Sequence, residues 1–406
     1  MPRTARHTSI PGYVTVVLAV VTVVALPFVA HFVDGSADEF TGGHFHVAVA
    51  AGWLVIALLV AVVVTRRLQI SINVEEGSAL AVAYDALPIL LIGAWIVAVA
   101  ATLTGHLLLA CLAWALCAYH LLLVVPRLIA GRMPRWVRSA PKFDVVVANV
   151  FIDNETPLDA ARQLIAAAAD IVVIVESTSR FMGVFDEAGG ADTYPFRVWD
   201  PDDDTDYAVT LATSHELGPR SLMTRIGPLR LAIADISVHG VSVLVVALNP
   251  MATVDPGGHM KWKEQIEALE EFVPTLSGPV LIAGDLNTTR YRPEFEQILG
   301  LGLSDAIDSL GKGLNPSFKL GADGVLGSIG PVARLDHALV NQSMHAVRVE
   351  NLEPCGSDHL PFKLTVAVRP TDEHERRPKT MPTEVTPSSD AGTNSAASIR
   401  PAATDG

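Results

Sequence analysis

The chain of 406 residues is 50% hydrophobic, only 18% charged, and carries a formal net charge of −14. Soluble domains carry about 25% charged residues, so this deficit points to part of the chain lying in lipid. The acidic balance excludes a general polyanion binder, which grips phosphates with Lys and Arg, but leaves small or metal-bridged phosphates open.

The apolar residues come first. Residues 11–33 form one uncharged run, and residues 46–65 form a second before Arg66 and Arg67. A third region, 78–125, exceeds one helix, and Thr104, Gly105 and His106 offer a break. About 20 apolar residues cross a hydrocarbon core of about 30 Å. Four spans are expected, at 11–33, 46–65, 79–103 and 106–125, with three as the alternative. The first run is longer than the apolar core of a signal peptide.

Arg3, Arg6, Arg66, Arg67, Arg127, Arg132, Arg135 and Arg138 fall on one side if there are four spans. The positive-inside rule makes that side cytoplasmic, and the large domain with it. Three spans would leave the domain extracytoplasmic. Either way the expectation is a multi-pass protein of the cell membrane. A charge at mid-bilayer costs about 2.5–3.5 kcal/mol, so Asp85 is expected at the interface, with the third span starting near Leu87. Its alternative is a polar partner inside the bundle. Residues 127–142 form a basic linker with Trp136, suited to the anionic headgroups of a lipid bilayer.

Residues 143–369 alternate β-type runs with helical stretches, and the length suits one domain. Residues 143–150 read as a strand ending at Asn149, followed by a helix over 157–169. The run IVVIV leads directly into Glu176. The acidic run 200–206 reads as a solvated loop. Residues 229–237 and 241–248 form a hairpin around His239 and Gly240, and the second strand ends at Asn249. Residues 262–273 have helical spacing. The buried run in GPVLIAGDLN, residues 278–287, then breaks at Gly284 to present Asp285 and Asn287. A short helix over 294–299 and a Gly-rich loop over 311–330 lead to Asp336, and Asp358 and His359 precede the last strand, 362–368. Residues 370–406, rich in Pro, Ser, Thr and Ala, read as a disordered tail. Cys111, Cys117 and Cys355 supply neither a disulfide framework nor zinc spacing.

Polar residues at the ends of successive buried strands form a series: Asn149, Glu176, Asn249, Asp285 with Asn287, Asp336, and Asp358 with His359. Carried by Gly284-Asp285-Leu286-Asn287, Ser357-Asp358-His359, Arg334-Leu335-Asp336-His337 and the strand into Glu176, the series resembles the endonuclease/exonuclease/phosphatase superfamily. The resemblance covers roughly residues 143–368. It implies a deoxyribonuclease I-like α/β fold, a two-sheet sandwich flanked by helices, here preceded by a helical transmembrane bundle. It also implies hydrolysis of phosphoester bonds with Mg²⁺, Mn²⁺ being the alternative ion. Glu176 and Asn149 match the family's metal-binding pair, and Asp285 matches the residue that activates water. Asn287 would bond that water or a phosphate oxygen. His359 would contact the phosphoryl group with Asp336 as its partner, and Asp358 would face a second metal or the water. Asn249 stands where many members carry His or Tyr, which leaves rate and substrate in question.

The implied substrates are nucleic acid, a phospholipid headgroup or a small phosphate ester. No Lys/Arg stripe marks a nucleic-acid groove, and Arg290 and Arg292 are candidates for a second phosphate. The alternative reading is a catalytically weak or inactive membrane-anchored protein that binds a phosphorylated ligand.

Overall fold

Residues 43–68, 79–253, 257–319 and 331–369 are described by the structure, a computed structural model. The expected first span at 11–33, Arg3 and Arg6, and the tail at 370–406 lie outside the described residues. The chain divides into two units, one holding the helices up to Arg127 together with Arg290–Pro293, the other running from Leu128 without those four residues.

In the first unit, α1 (Gly43–Arg67), α2 (Ala79–Asp85), α3 (Leu87–Leu90), α4 (Ile92–Leu103) and α5 (Leu107–Val124) follow one another. The turn between α4 and α5 falls at Gly105, whose φ of 75° suits glycine. The expected span 79–103 is not one helix. Pro88 lies in the first turn of α3, where its missing N–H costs nothing, but it cannot continue α2. Asp85 is no lone interfacial charge either, because it accepts a 2.8 Å hydrogen bond from Nε of Arg292, which is only 1% exposed. That pairing removes Arg292 as a candidate for a second phosphate. Arg66 donates to the Tyr291 carbonyl at 2.5 Å. Small residues Ala94, Ala98, Ala110 and Ala113 are buried in this unit, whereas Leu54, Leu107, Leu108 and Leu122 stand exposed.

The second unit is built on two six-stranded sheets. One contains β1 (Lys142–Asn149), β2 (Ile171–Val175), β3 (Phe196–Val198), β4 (Val209–Thr213), β13 (Met344–Asn351) and β14 (Phe362–Val368), in the order β13-β14-β1-β2-β4-β3. The other contains β5 (Leu222–Ile226), β6 (Leu229–Val238), β7 (Val241–Leu248), β8 (Val280–Asp285), β9 (Leu303–Asp305) and β12 (Asp336–Asn341), in the order β5-β6-β7-β8-β12-β9. A short pair, β10 (Phe318–Lys319) and β11 (Pro331–Ala333), stands apart. The helices are α6 (Pro157–Ala166), α7 (Ser179–Glu187), α8 (Gly190–Thr193), α9 (Gly258–Phe272), α10 (Pro293–Gly300) and α11 (Ala306–Ser309).

Strand periodicity explains the layers. Along β2, Ile171, Val173 and Val175 join the core between the sheets, while Val172 and Ile174 pack with Leu164 of α6 and Phe185 of α7. Along β8, Leu281 and Ala283 face the same inter-sheet core, and Val280 and Ile282 face Trp262, Ile266 and Leu269 of α9. Each fully buried aliphatic side chain of this kind contributes about 1.5–3 kcal/mol. This is the expected two-sheet sandwich flanked by helices. The hairpin is also as expected, with Val238 paired to Val241 and φ positive at both His239 and Gly240. The acidic run differs from a solvated loop: Asp203 is buried, and both it and Asp200 accept from the Arg230 guanidinium.

Candidate active site

Topology gathers the polar strand ends on one edge. β1 and β2 run parallel, as do β7 and β8, so each pair ends together. β14 is antiparallel to β1 and β12 to β8, so both begin where those neighbours end. Asp336 is the register partner of Asp285, and His337 that of Gly284. Gly284 is required there: with φ at 147°, a Cβ would lie 2.0 Å from the Leu248 carbonyl oxygen on β7.

The backbone turns sharply at the same edge. Glu176 has φ of 59°, Asn287 of 50° and Phe151 of 60°. Non-glycine residues in the left-handed region are uncommon, and strain of this sort, about 1–3 kcal/mol each, clusters at functional sites.

Asn149 bridges two carboxylates, its Nδ2 donating to Glu176 Oε1 at 2.8 Å and to Asp285 Oδ2 at 3.2 Å. Its Oδ1 accepts from the Phe151 amide, and Glu176 Oε2 accepts from the Ile152 amide at 2.7 Å. Asp285 Oδ1 accepts from the Asn287 amide at 2.8 Å. On the far side, His359 Nδ1 is 2.7 Å from Asp336 Oδ2, and its Nε2 is 3.7 Å from Asp285 Oδ2. The carboxylate acceptor fixes the proton on Nδ1. One ligand atom from each of Asp285, Asp336 and His359 lies within 4.8 Å of the others. Asn287 Nδ2 donates to Asn249 Oδ1 at 3.3 Å and to the Pro250 carbonyl at 2.9 Å, and Asn249 donates to the Asp206 carbonyl at 2.7 Å. Asp358 is placed beside His359 in sequence but hydrogen-bonds none of the others through its side chain; its buried Oδ1 has no hydrogen-bond partner among the described residues.

Burial sets the electrostatics. It raises Glu176 to about 7, against the hydrogen bonds from Asn149 and Ile152. It raises Asp285 to about 6, with His359 opposing and Asp336 adding to the rise. Burial works against a charged His359, but Asp336 and Asp285 outweigh it and lift the imidazole to about 10. Asp336 is pushed up by burial, yet His359, Ser317 and Arg334 together hold it below its usual value. Burial raises Asp358 as well. A buried carboxyl pushed up toward neutrality thus faces an imidazole pushed up by two carboxylates.

Several participants were not legible from strand ends. Ser317 donates to Asp336 Oδ2 at 2.6 Å, and the Phe318 ring packs 5.0 Å from that of His359. Both come from the Gly-rich loop, whose sequence gives no local sign of this contact. Ser357 Oγ donates to the Asn149 carbonyl and accepts from the His359 amide, tying two motifs together. Trp262 Nε1 holds the Leu286 carbonyl at 2.9 Å, and His337 packs between Asp305 Oδ2, 2.7 Å from Nδ1, and the Thr288 carbonyl.

Among solved structures, a humanized D. rerio TDP2 is 18% identical with a TM-score of 0.46, over 56% of this chain and 99% of its own. An endonuclease/exonuclease/phosphatase from Beutenbergia cavernae is 16% identical with a TM-score of 0.44, over 56% and 72%. Sphingomyelinase C from Streptomyces griseocarneus is 18% identical with a TM-score of 0.42, over 55% and 99%. These likenesses are too distant to bear on chemistry. Curated proteins give no match. The model of the Endonuclease/Exonuclease/phosphatase family, whose members hydrolyse phosphoester bonds, matches residues 146–359, more than half of the sequence, and the chain belongs to that family.

Proposed function

We propose that the protein is a membrane-anchored, Mg²⁺-dependent phosphoester hydrolase in which Asp285 activates the attacking water. The observation that carries this reading is the line Asp336, His359, Asp285, joined through Asn149 to Glu176 where strand ends of the two sheets meet. Asp285, raised to about 6, is a base matched to neutral pH. His359, held protonated by Asp336, offers Nε2–H to a phosphoryl oxygen as negative charge develops. Both amide hydrogens of Asn287 are engaged, so its Oδ1 is left to accept from the water. Asn249 uses one amide hydrogen on Asp206 and keeps one for the substrate.

Carboxylate oxygens are the donors a hard cation takes. Glu176 supplies a carboxylate oriented by Asn149 and Ile152, and Asp358 supplies a buried oxygen without a hydrogen-bond partner among the described residues. Glu176 and Asp358 would hold Mg²⁺, which would supply positive charge to offset that on the phosphoryl oxygens.

Anchoring is supported by Val47–Arg67 and Leu107–Leu128, two helices long and apolar enough to cross a membrane, with only 28% and 33% of their apolar windows buried. A core helix of a water-soluble fold would be mostly covered. The test is hydrolysis by the full chain in detergent, with Mg²⁺ or chelator, on bis-p-nitrophenyl phosphate, p-nitrophenyl phosphate, plasmid DNA and sphingomyelin. Turnover that needs metal and disappears in Asp285→Ala and His359→Ala supports the hydrolase. A folded, metal-binding chain inert on the whole panel would overturn it in favour of a phosphate-binding protein.

A further inference from the structure

The segment after α5 is held firmly yet shows an apolar face. The Gly131 amide donates to the Ser309 carbonyl at 2.8 Å, and Ala130 bridges to Leu310. Gly311, with φ of 68°, comes so close that a Cβ would lie 2.5 Å from the Ala130 nitrogen. Val137 is fully buried with Ala140 and Ala367, and Trp136 packs edge-on to His345 beneath the Arg369 guanidinium. A tethered segment of this kind is no loose linker. Nevertheless Leu128, Ile129 and Met133 are 51%, 63% and 46% exposed, and Leu314, lining one shallow pocket with Leu128, is 42% exposed.

We propose that residues 128–138 form an interfacial platform that seats the second unit on an anionic lipid surface. The proposal rests on reading α5 as a membrane span. Two observations choose lipid as the occupant. The first is continuity along the chain: the apolar run Leu107–Leu128 ends where the patch begins, with only Pro126 and Arg127 between Val125 and Leu128. The second is charge: the chain is acidic overall at −14, yet residues 127–142 contain no Asp or Glu, and Arg132, Arg135 and Arg138 are all exposed beside the apolar side chains. Apolar groups entering the headgroup boundary with arginines at phosphate level is the pattern of an interfacial element. The loop bearing Leu314 continues to Ser317, which bonds Asp336, so the platform and the candidate site share one short stretch of chain.

The test is amide hydrogen exchange of the full chain in nanodiscs of phosphatidylcholine, alone or mixed with phosphatidylglycerol. Peptides covering 128–138 should exchange several-fold more slowly in the anionic discs, and Arg132→Glu/Arg135→Glu/Arg138→Glu should abolish that difference while β8 peptides keep their protection. Each arginine at an anionic surface is worth about fivefold in partitioning, so Arg135→Gln alone should lose part of the effect. Equal exchange in both discs with α5 protected overturns the platform and leaves the anchor standing. Unprotected α5 peptides reject the anchor and the platform together. Slowing that follows the number of protein copies per disc and not the anionic lipid assigns the face to a second copy, and overturns the proposal.

Discussion

Asp336→Asn keeps the shape of the His359 pair and removes its charge. Asp336 Oδ2 lies 2.7 Å from His359 Nδ1 in a site where both residues are almost wholly buried. Charge-assisted hydrogen bonds are about twice as strong as neutral ones, and losing one group that stabilises developing charge costs about 10²–10³ in kcat. A fall of that size, with KM little changed, is expected because the pair acts on the transition state and not on ground-state binding. The pH dependence adds a second readout. His359 reaches about 10 because Asp336 and Asp285 outweigh burial. The native imidazole therefore keeps its proton through neutral pH and loses it only as pH rises through about 10. Without Asp336, burial gains the upper hand, and the alkaline loss of kcat should move toward neutrality. The assay is Mg²⁺-dependent cleavage of bis-p-nitrophenyl phosphate by the full chain across a pH series. Native kcat with an unmoved alkaline limb in the variant would refute the pairing as a catalytic device.

Three further outcomes follow from the same geometry. Gly284→Ala places a methyl group 2.0 Å from the Leu248 carbonyl oxygen, and separating β7 from β8 should cost more than about 3 kcal/mol; a variant with the native denaturation midpoint would contradict the close approach. Glu176 is raised from 4.5 to about 7 in the folded chain, so the unfolded chain releases this proton first as pH rises, and metal-free stability should fall by about 3 kcal/mol between these values. Added Mg²⁺ should offset that loss, raising Tm more at pH above 7 than at pH near 5, whereas an equal gain at both would separate Glu176 from the metal. Asn249→Ala removes the bonds to Asn287 and to the Asp206 carbonyl, and should lower kcat about tenfold without unfolding the chain; unchanged turnover would mean that Asn249 neither orients Asn287 nor meets substrate.

Much of the architecture was legible because buried strands advertise themselves. IVVIV before Glu176 and VLIAG before Asp285 have no polar residue to place in solvent, so the first polar group after each falls at the sheet edge. Register could not be read: only the ladder shows that Asp336 stands directly opposite Asp285. Contacts made by Ser317, Phe318 and the Asp206 carbonyl depend on loops whose composition says turn and nothing about destination. In the apolar part, hydropathy averages over Pro88, so the break between α2 and α3 was hidden by the leucines around it. The partner of Asp85 was equally out of reach, since Arg292 is more than two hundred residues away along the chain.

The residue-for-residue pairing of β8 with β12 has a consequence for how such a site fails. Asp285 and Asp336 are cross-strand neighbours at the ends of two interior strands of a six-stranded sheet, with β7 on one flank and β9 on the other. Both strands are hydrogen-bonded on their two sides, and such interior strands are among the last elements to open in a cooperative domain. Heat inactivation should thus coincide with global melting and reverse with refolding, unlike sites carried on a lid that loosens first. Insertions or deletions of a single residue in either strand would be silent nowhere, since each would turn one carboxylate to the opposite face of the sheet.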